Sequence, residues 1–231
     1  MTFFALIHGA GDGGWYWHLV EEELRARGHV TVAPDLPTDD PAAGVAEHAD
    51  AVVAAIGRPR GEVVVVAQSA GAFVAPLVAE KVGARLLVLL AGMVPVPGET
   101  PYEWFDNTGW QAAVQQQAAL DGGLTGSSDP MVCFYHDVPR PLAEEAMRRE
   151  RPTADGPASE PWPMPAWPDV PTRFVLCTED RFFPAALLRK VARDRLGITD
   201  PIEIRSGHCA ALAAPRELAR ILTEAAAAVA P

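Results

Sequence analysis

Val63-Val64-Val65-Val66-Ala67-Gln68-Ser69-Ala70-Gly71 is the stretch that decides the fold. Four consecutive valines read as a strand covered on both faces, as at the centre of a parallel sheet. The run passes through a five-residue turn centred on Ser69 into a helix expected over 70–82. This strand-turn-helix context is that of a nucleophile elbow, in which a sharp turn pushes the serine hydroxyl out from the top of the sheet. The helix must then pack close to its strand, which demands small residues two before and two after the serine. Here they are Ala67 and Gly71. A serine opening a helix can equally be an N-cap, so the assignment needs partners elsewhere in the chain.

Outward from this stretch, short apolar runs alternate with helical segments. Strands are expected at 3–7, 29–33, 62–67, 85–90, 173–178 and 202–205, and helices at 15–27, 45–56, 185–195 and 216–229. Such alternation implies an α/β chain with a doubly wound, mostly parallel sheet. The pattern breaks between about 93 and 171, a stretch rich in tryptophan and proline. It holds two short helical signals, at 111–120 and 142–149, and an extended return path over 152–171. The expected organisation is one domain over 1–231 with a helical cap inserted at about 93–171.

Composition narrows the function. The 231 residues are 49% hydrophobic, enough for a sizeable core. The net charge of −11 argues against a nucleic-acid partner and against anionic membranes. The opening apolar run, Phe3–Ile7, stops at His8-Gly9 and is too short for a signal peptide or a membrane span. Cys133, Cys177 and Cys209 are far apart and form neither a metal motif nor a disulfide framework. The expectation is a cytoplasmic protein with no metal and no cofactor; the sequence leaves the oligomeric state open.

Three further signals sit at strand ends. His8-Gly9-Ala10-Gly11-Asp12-Gly13-Gly14-Trp15 follows the first strand. A tetrahedral oxyanion needs two N–H donors, one after the nucleophile and one from a neighbouring loop. Ala70 and Ala10 are the candidates, and GxGxxG and GxxxxGK[ST] phosphate loops are not matched. His8 reads as a structural hydrogen-bonder, with a direct catalytic role as the alternative. Cys177-Thr178-Glu179-Asp180 and Ser206-Gly207-His208-Cys209 end two late strands. Serine, carboxylate and histidine thus follow one another as Ser69, Asp180 and His208. This supplies a nucleophile, a base near its neutral pKa and a group to orient that base. Glu179 and Asp180 are neighbours, so only one can face the histidine. The cap aromatics Trp104, Phe105, Trp110, Phe134, Trp162 and Trp167, with Met131 and His136, are candidates for lining a substrate pocket together with Gly9; cap packing is the alternative role for the apolar ones.

The chain resembles the α/β-hydrolase superfamily, and within it the branch of plant methylesterases and hydroxynitrile lyases. The resemblance rests on HGAGDGGWYW at 8–17, GHVTVAPDLP at 28–37, CTEDRFFP at 177–184 and ITDPIEIRSGH at 198–208. It implies Ser69 as nucleophile, Asp180 as triad acid, His208 as base, Ala10 and Ala70 as oxyanion donors, and a helical cap. It departs from the family in AQSAG for GxSxG and in Cys209 after the histidine. The family's lyases resemble one another in placing a lysine after that histidine and a threonine where this chain has Gly9. The expected activity is therefore hydrolysis of a small, largely apolar carboxylic ester. A cyanohydrin lyase and a non-catalytic ligand-binding relative are the alternatives.

Overall fold

The computed structural model describes residues 1–59, 61–154 and 159–229. Six strands form one sheet: β1 (Phe3–Ile7), β2 (Val30–Val32), β3 (Val63–Gln68), β4 (Leu86–Leu90), β5 (Thr172–Cys177) and β6 (Ile202–Ile204). Their spatial order is β2-β1-β3-β4-β5-β6, and every pairing is parallel. The central strands β1, β3 and β4 are buried throughout, which is why their sequences are unbroken apolar runs. The edge strands β2 and β6 are shorter and partly exposed.

The helices are α1 (His18–Ala26), α2 (Val45–Ile56), α3 (Ala75–Val82), α4 (Pro101–Thr108), α5 (Trp110–Asp121), α6 (Pro130–Cys133), α7 (Arg140–Arg148), α8 (Ala185–Leu196), α9 (Ala210–Ala213) and α10 (Pro215–Ala228). Two of the expected helices begin as 3-10 turns, Gly14–Trp17 before α1 and Ser69–Phe73 before α3. The sheet order reverses between β1 and β3. The chain steps from β1 outward to β2, then returns to the other side. At such a switch point the loops leaving adjacent strands diverge and open a crevice at their C-terminal ends. The loops starting at His8 and Ser69 flank that crevice.

Helices α4–α7 lie between β4 and β5. Helix α4 is absent from the sequence expectations, although Thr100-Pro101-Tyr102-Glu103 is a capping box with proline at N1. The Thr100 hydroxyl accepts from the Glu103 N–H, and the Glu103 carboxylate accepts from the Thr100 N–H. The expected extended path at 152–171 carries no strand and no multi-residue helix among its described residues; 155–158 fall outside them.

One buried ion pair ties the start of this insertion to the main body. Glu99 is 3% exposed. Its carboxylate accepts from Arg195 on α8 at 2.5 and 2.8 Å and from Asn107 at 2.8 Å. Removing one member of a buried pair leaves an uncompensated charge. Arg195→Met should lower unfolding stability by about 3 kcal/mol in urea titrations. Glu99→Leu on that background should recover much of the loss, since two apolar groups then replace the pair.

Candidate functional site

Ser69 follows β3 with φ +51°, one of two non-glycine residues at positive φ among those described. The left-handed conformation is strained for a residue with a Cβ. Close packing on both sides holds it. A Cβ on Gly71 would stand 2.6 Å from the His8 carbonyl oxygen and 3.2 Å from Ile7 Cγ2, so the turn sits directly against the end of β1. The Met93 N–H donates to the Ser69 carbonyl at 3.0 Å from the far side. The small flanking residues read from the sequence are thus steric requirements of this turn.

His8 anchors the facing loop. Its Nε2 accepts from the Leu36 N–H at 3.1 Å. Nδ1 therefore carries the proton and donates to the Gly9 carbonyl at 2.8 Å. Burial holds its pKa below the ordinary value, so it stays a neutral link between the ends of β1 and β2. The loop is fixed further by Gly14 N–H to Asp35 at 2.7 Å and Arg151 N–H to the Gly11 carbonyl at 2.8 Å. Ala10 is exposed at its tip.

The loops after β5 and β6 supply the other half. His208 Nδ1 lies 2.7 Å from Asp180 Oδ2, and both residues are buried. Asp180 Oδ1 accepts from the Phe182 and Phe183 N–H groups, each at 2.8 Å. Since a carboxylate only accepts, His208 carries its proton on Nδ1 and keeps Nε2 as a base. Glu179 points elsewhere and pairs with Arg205 at the surface at 2.7 Å. Phe134, Phe182 and Phe183 enclose the imidazole, with ring centroids 5.3–5.6 Å away.

Asp137, which the sequence reading passed over, positions this loop from the insertion. Its Oδ2 accepts from the Ser206 hydroxyl at 2.9 Å and the Gly207 N–H at 2.7 Å. A Cβ on Gly207 would meet His136 at 2.6 Å and Asp137 at 2.7 Å, so the insertion presses directly on the residue before His208.

Ser69 and His208 line one cavity of about 170 Å³, with Ala10, Gly11, Asp12, Gln68, Phe134, Tyr135, Glu150, Phe182 and Cys209. A larger cavity of about 290 Å³ adjoins it at Ala10 and is also lined by Gly9, Ala70 and Phe105. Six of the expected pocket residues, Trp104, Trp110, Met131, His136, Trp162 and Trp167, line neither cavity. Trp104 is wholly buried and donates to the Val94 carbonyl, and Trp110 donates to the Phe182 carbonyl. The first bond is made within the insertion, and the second ties the insertion to the loop after β5. His136 bonds the Glu179 carbonyl at 3.0 Å and faces a separate surface basin. Trp162 and Trp167 likewise satisfy their N–H groups internally, on the Phe73 carbonyl and the Thr172 hydroxyl. No group of three or more His, Cys, Asp or Glu is placed to hold a metal ion among the described residues.

The comparisons with known proteins agree with this architecture. The sequence matches the alpha/beta hydrolase family over residues 4–221, and the chain belongs to that family. It is 24% identical to norfluorocurarine synthase 1 from a Strychnos species, over 96% of this chain and 94% of that one. Among solved structures it resembles polyneuridine aldehyde esterase, with a TM-score of 0.78, 20% identity and coverage of 98% and 99% of the two chains. It is also similar to a methylesterase from Arabidopsis, with a TM-score of 0.76, 16% identity and coverage of 98% and 99%. Structural likeness at these identities establishes a shared fold.

Two predictions follow from the geometry. Ser69→Gly removes the Cβ from a left-handed turn and should raise unfolding stability by about 1 kcal/mol, while Ser69→Ala should give no such gain. Thermal denaturation of both variants checks this. Asp12 is held protonated by the enclosed cavity and by nearby Glu150, against the pull of His208; its pKa is pushed up to about 7. A carboxyl that keeps its proton only when folded makes stability fall as pH rises from about 4 to about 7. Relative to the wild type, Asp12→Asn should gain melting temperature across that window and hold the gain above it. A constant difference across the window would contradict the assignment.

Proposed function

We propose that this chain is a serine hydrolase that cleaves a small, largely apolar carboxylic ester through an acyl-enzyme. The observation that carries the reading is that His208, which contacts Asp180 at 2.7 Å, lines the same cavity as the strained Ser69. In this reading Ser69 Oγ attacks the carbonyl carbon as His208 Nε2 takes its proton. The oxyanion is held by the Ala10 and Ala70 N–H groups. Collapse of the tetrahedral intermediate breaks the bond to the alcohol, which leaves with the proton from His208. Water then repeats the sequence on the acyl-enzyme, releasing the acid and restoring the Ser69 hydroxyl. Asp180 holds the imidazole tautomer and stabilises imidazolium while it lasts. No step calls for a cofactor. A cytoplasmic location is part of the same proposal, in keeping with three free cysteines.

The surroundings favour an ester over a cyanohydrin. A departing cyanide needs a nearby positive charge, and no lysine or arginine lines either cavity among the described residues. Cys209 is buried, and burial raises its thiol pKa well above the ordinary value, so it stays neutral. Lys81 and Lys190 are paired with Asp50 and Asp194 at the surface. The same absence of cations favours substrates without an anionic group. Arg140, Arg148 and Arg149 are paired with Glu144 and Glu145 on exposed faces.

The test is fluorophosphonate labelling together with hydrolysis of p-nitrophenyl esters of rising chain length. Labelling should vanish in Ser69→Ala, and turnover should fall by roughly 10³-fold or more. Asp180→Asn should cripple turnover, while Glu179→Gln should change it little. Cyanide release from mandelonitrile that depends on Ser69 and outruns every ester would overturn the proposal in favour of a lyase. Labelling that survives in Ser69→Ala would overturn the nucleophile.

A further inference from the structure

The larger cavity is walled by apolar groups, among them Leu36, Val45, Phe73, Val74 and Met93. It also reaches Ala10 and Ala70, the two proposed oxyanion donors. An ester bound at Ser69 would therefore extend one of its two arms into this space. Five polar side chains interrupt the apolar wall, His8, Thr38, His48, Tyr102 and Thr153, of which His8 and Thr153 are bonded to the backbone of neighbouring loops. Thr38 and His48 are each 5% exposed, and Thr38 Oγ1 and His48 Nε2 have no hydrogen-bond partner among the described residues. Buried polar atoms are nearly always paired, because leaving one unpaired forfeits its hydration without return.

The chemistry of these two atoms is specific. His48 lies on the buried stripe of α2, with Val45, Ala49, Val52 and Ile56. The Pro37 carbonyl favours a proton on the ring, and Nε2 has no partner among the described residues. With the proton on Nδ1, Nε2 offers only a lone pair. Burial keeps the ring neutral by lowering its pKa. Thr38 is fixed by its backbone, which donates to the Leu36 carbonyl and accepts from the Ala154 N–H, each at 2.8 Å. Its hydroxyl remains able to donate and accept. A ligand group that satisfies both must therefore donate to His48, and it can accept from Thr38. A carbonyl cannot donate. An ammonium would shed its water with no carboxylate among the described lining residues to receive it. A hydroxyl does both.

We propose that Thr38 and His48 form a hydroxyl-recognition site, so that the substrate arm in this cavity is an apolar chain or ring bearing one hydroxyl, which donates to His48 Nε2 and accepts from Thr38 Oγ1. This rests on the reading of the neighbouring cavity as an ester-cleaving site. The sequence carried a trace of it: a histidine at helical spacing within an otherwise apolar face.

The experiment compares matched pairs that differ only in one hydroxyl. Methyl esters of straight-chain acids, from butanoate to decanoate, are each paired with the ω-hydroxy acid ester. Alkyl acetates paired with the monoacetates of the corresponding diols cover the other arm. For each pair, kcat/KM is measured on the wild type, and equilibrium binding is measured calorimetrically on Ser69→Ala. In one series, at one chain length, the hydroxyl should improve kcat/KM and binding roughly tenfold. Within Thr38→Val and within His48→Leu, the ratio between paired esters should fall to near unity; the ratio is internal to each variant, so a loss of folded protein cancels. Ester turnover with no hydroxyl preference at any length, or a preference that survives both substitutions, overturns this site and leaves the hydrolase reading standing. A hydroxyl preference in binding, lost in Thr38→Val and His48→Leu but without turnover of any ester, overturns the hydrolase reading and upholds the site. Neither turnover nor preference overturns both.

Discussion

The close approach of Gly71 to the end of β1 is the constraint on which the rest of the site depends. With only 2.6 Å between a notional Cβ there and the His8 carbonyl oxygen, the turn after β3 and the loop after β1 are held in fixed register. Any larger residue would drive the two apart. That contact sets Ser69 into its left-handed conformation and brings the Ala70 N–H beside the Ala10 loop. It can exist because the sheet order reverses between β1 and β3, so the two loops diverge only after leaving adjacent strands. Parallel register does the rest: Ile7 pairs with Ala67, which levels the strand ends.

The loops that carry Asp180 and His208 follow β5 and β6 and are held from above as well as below. Backbone hydrogen bonds tie the loop after β5 to the loop after β6, with Thr178 N–H on the Ile204 carbonyl and Glu179 N–H on the Ser206 carbonyl. Asp137 then grips Ser206 and Gly207 from the insertion. The insertion therefore does more than cover the crevice. It fixes the approach of the chain to His208, and through Glu99 and Arg195 it is itself bolted to α8. Precision at His208 thus depends on three segments far apart in sequence, a common requirement of sites that must hold geometry tightly.

What the sequence disclosed is local, and what it hid is long-range. Strands β1, β3 and β4 were legible because burial on both faces leaves unbroken apolar runs. Ser69, Asp180 and His208 were legible as residues at strand ends because each sits in a short motif of its own. The choice of Asp180 over Glu179 has a visible basis only in space, where Glu179 turns outward to Arg205. Asp137 carried no local signal, since its partners lie about 70 residues on. The tryptophans misled for a definable reason. A large aromatic ring in a cap suggests a pocket wall, but Trp104, Trp110 and Trp162 each carry an N–H that finds a carbonyl only inside the packing. Phe105 and Phe134, with no such group to satisfy, are the aromatics of the expected set that reach the cavities.

Gly9 in the loop after β1 and Gln68 before the serine are linked by packing. A Cβ on Gly9 would stand 2.3 Å from Gln68 Oε1 and 3.1 Å from Ser69 Cβ. The Gln68 amide therefore fills the space that a side chain at position 9 would claim. Gln68 is 2% exposed, and its Oε1 has no hydrogen-bond partner among the described residues. A threonine at position 9 could persist only if that amide swung away, and the tight contact with Ser69 Cβ would remain. The glycine in the loop and the glutamine before the serine are thus one arrangement. It places an amide group, where a hydroxyl would otherwise stand, against the wall of the cavity that Ser69 and His208 share. Among the described residues, no lysine or arginine lines this cleft, and its two carboxyl groups are Asp12, which is held protonated, and Glu150. For the ester cleavage proposed above, such a setting would stabilise an oxyanion through fixed dipoles, without a resident cation to hold a departing anion.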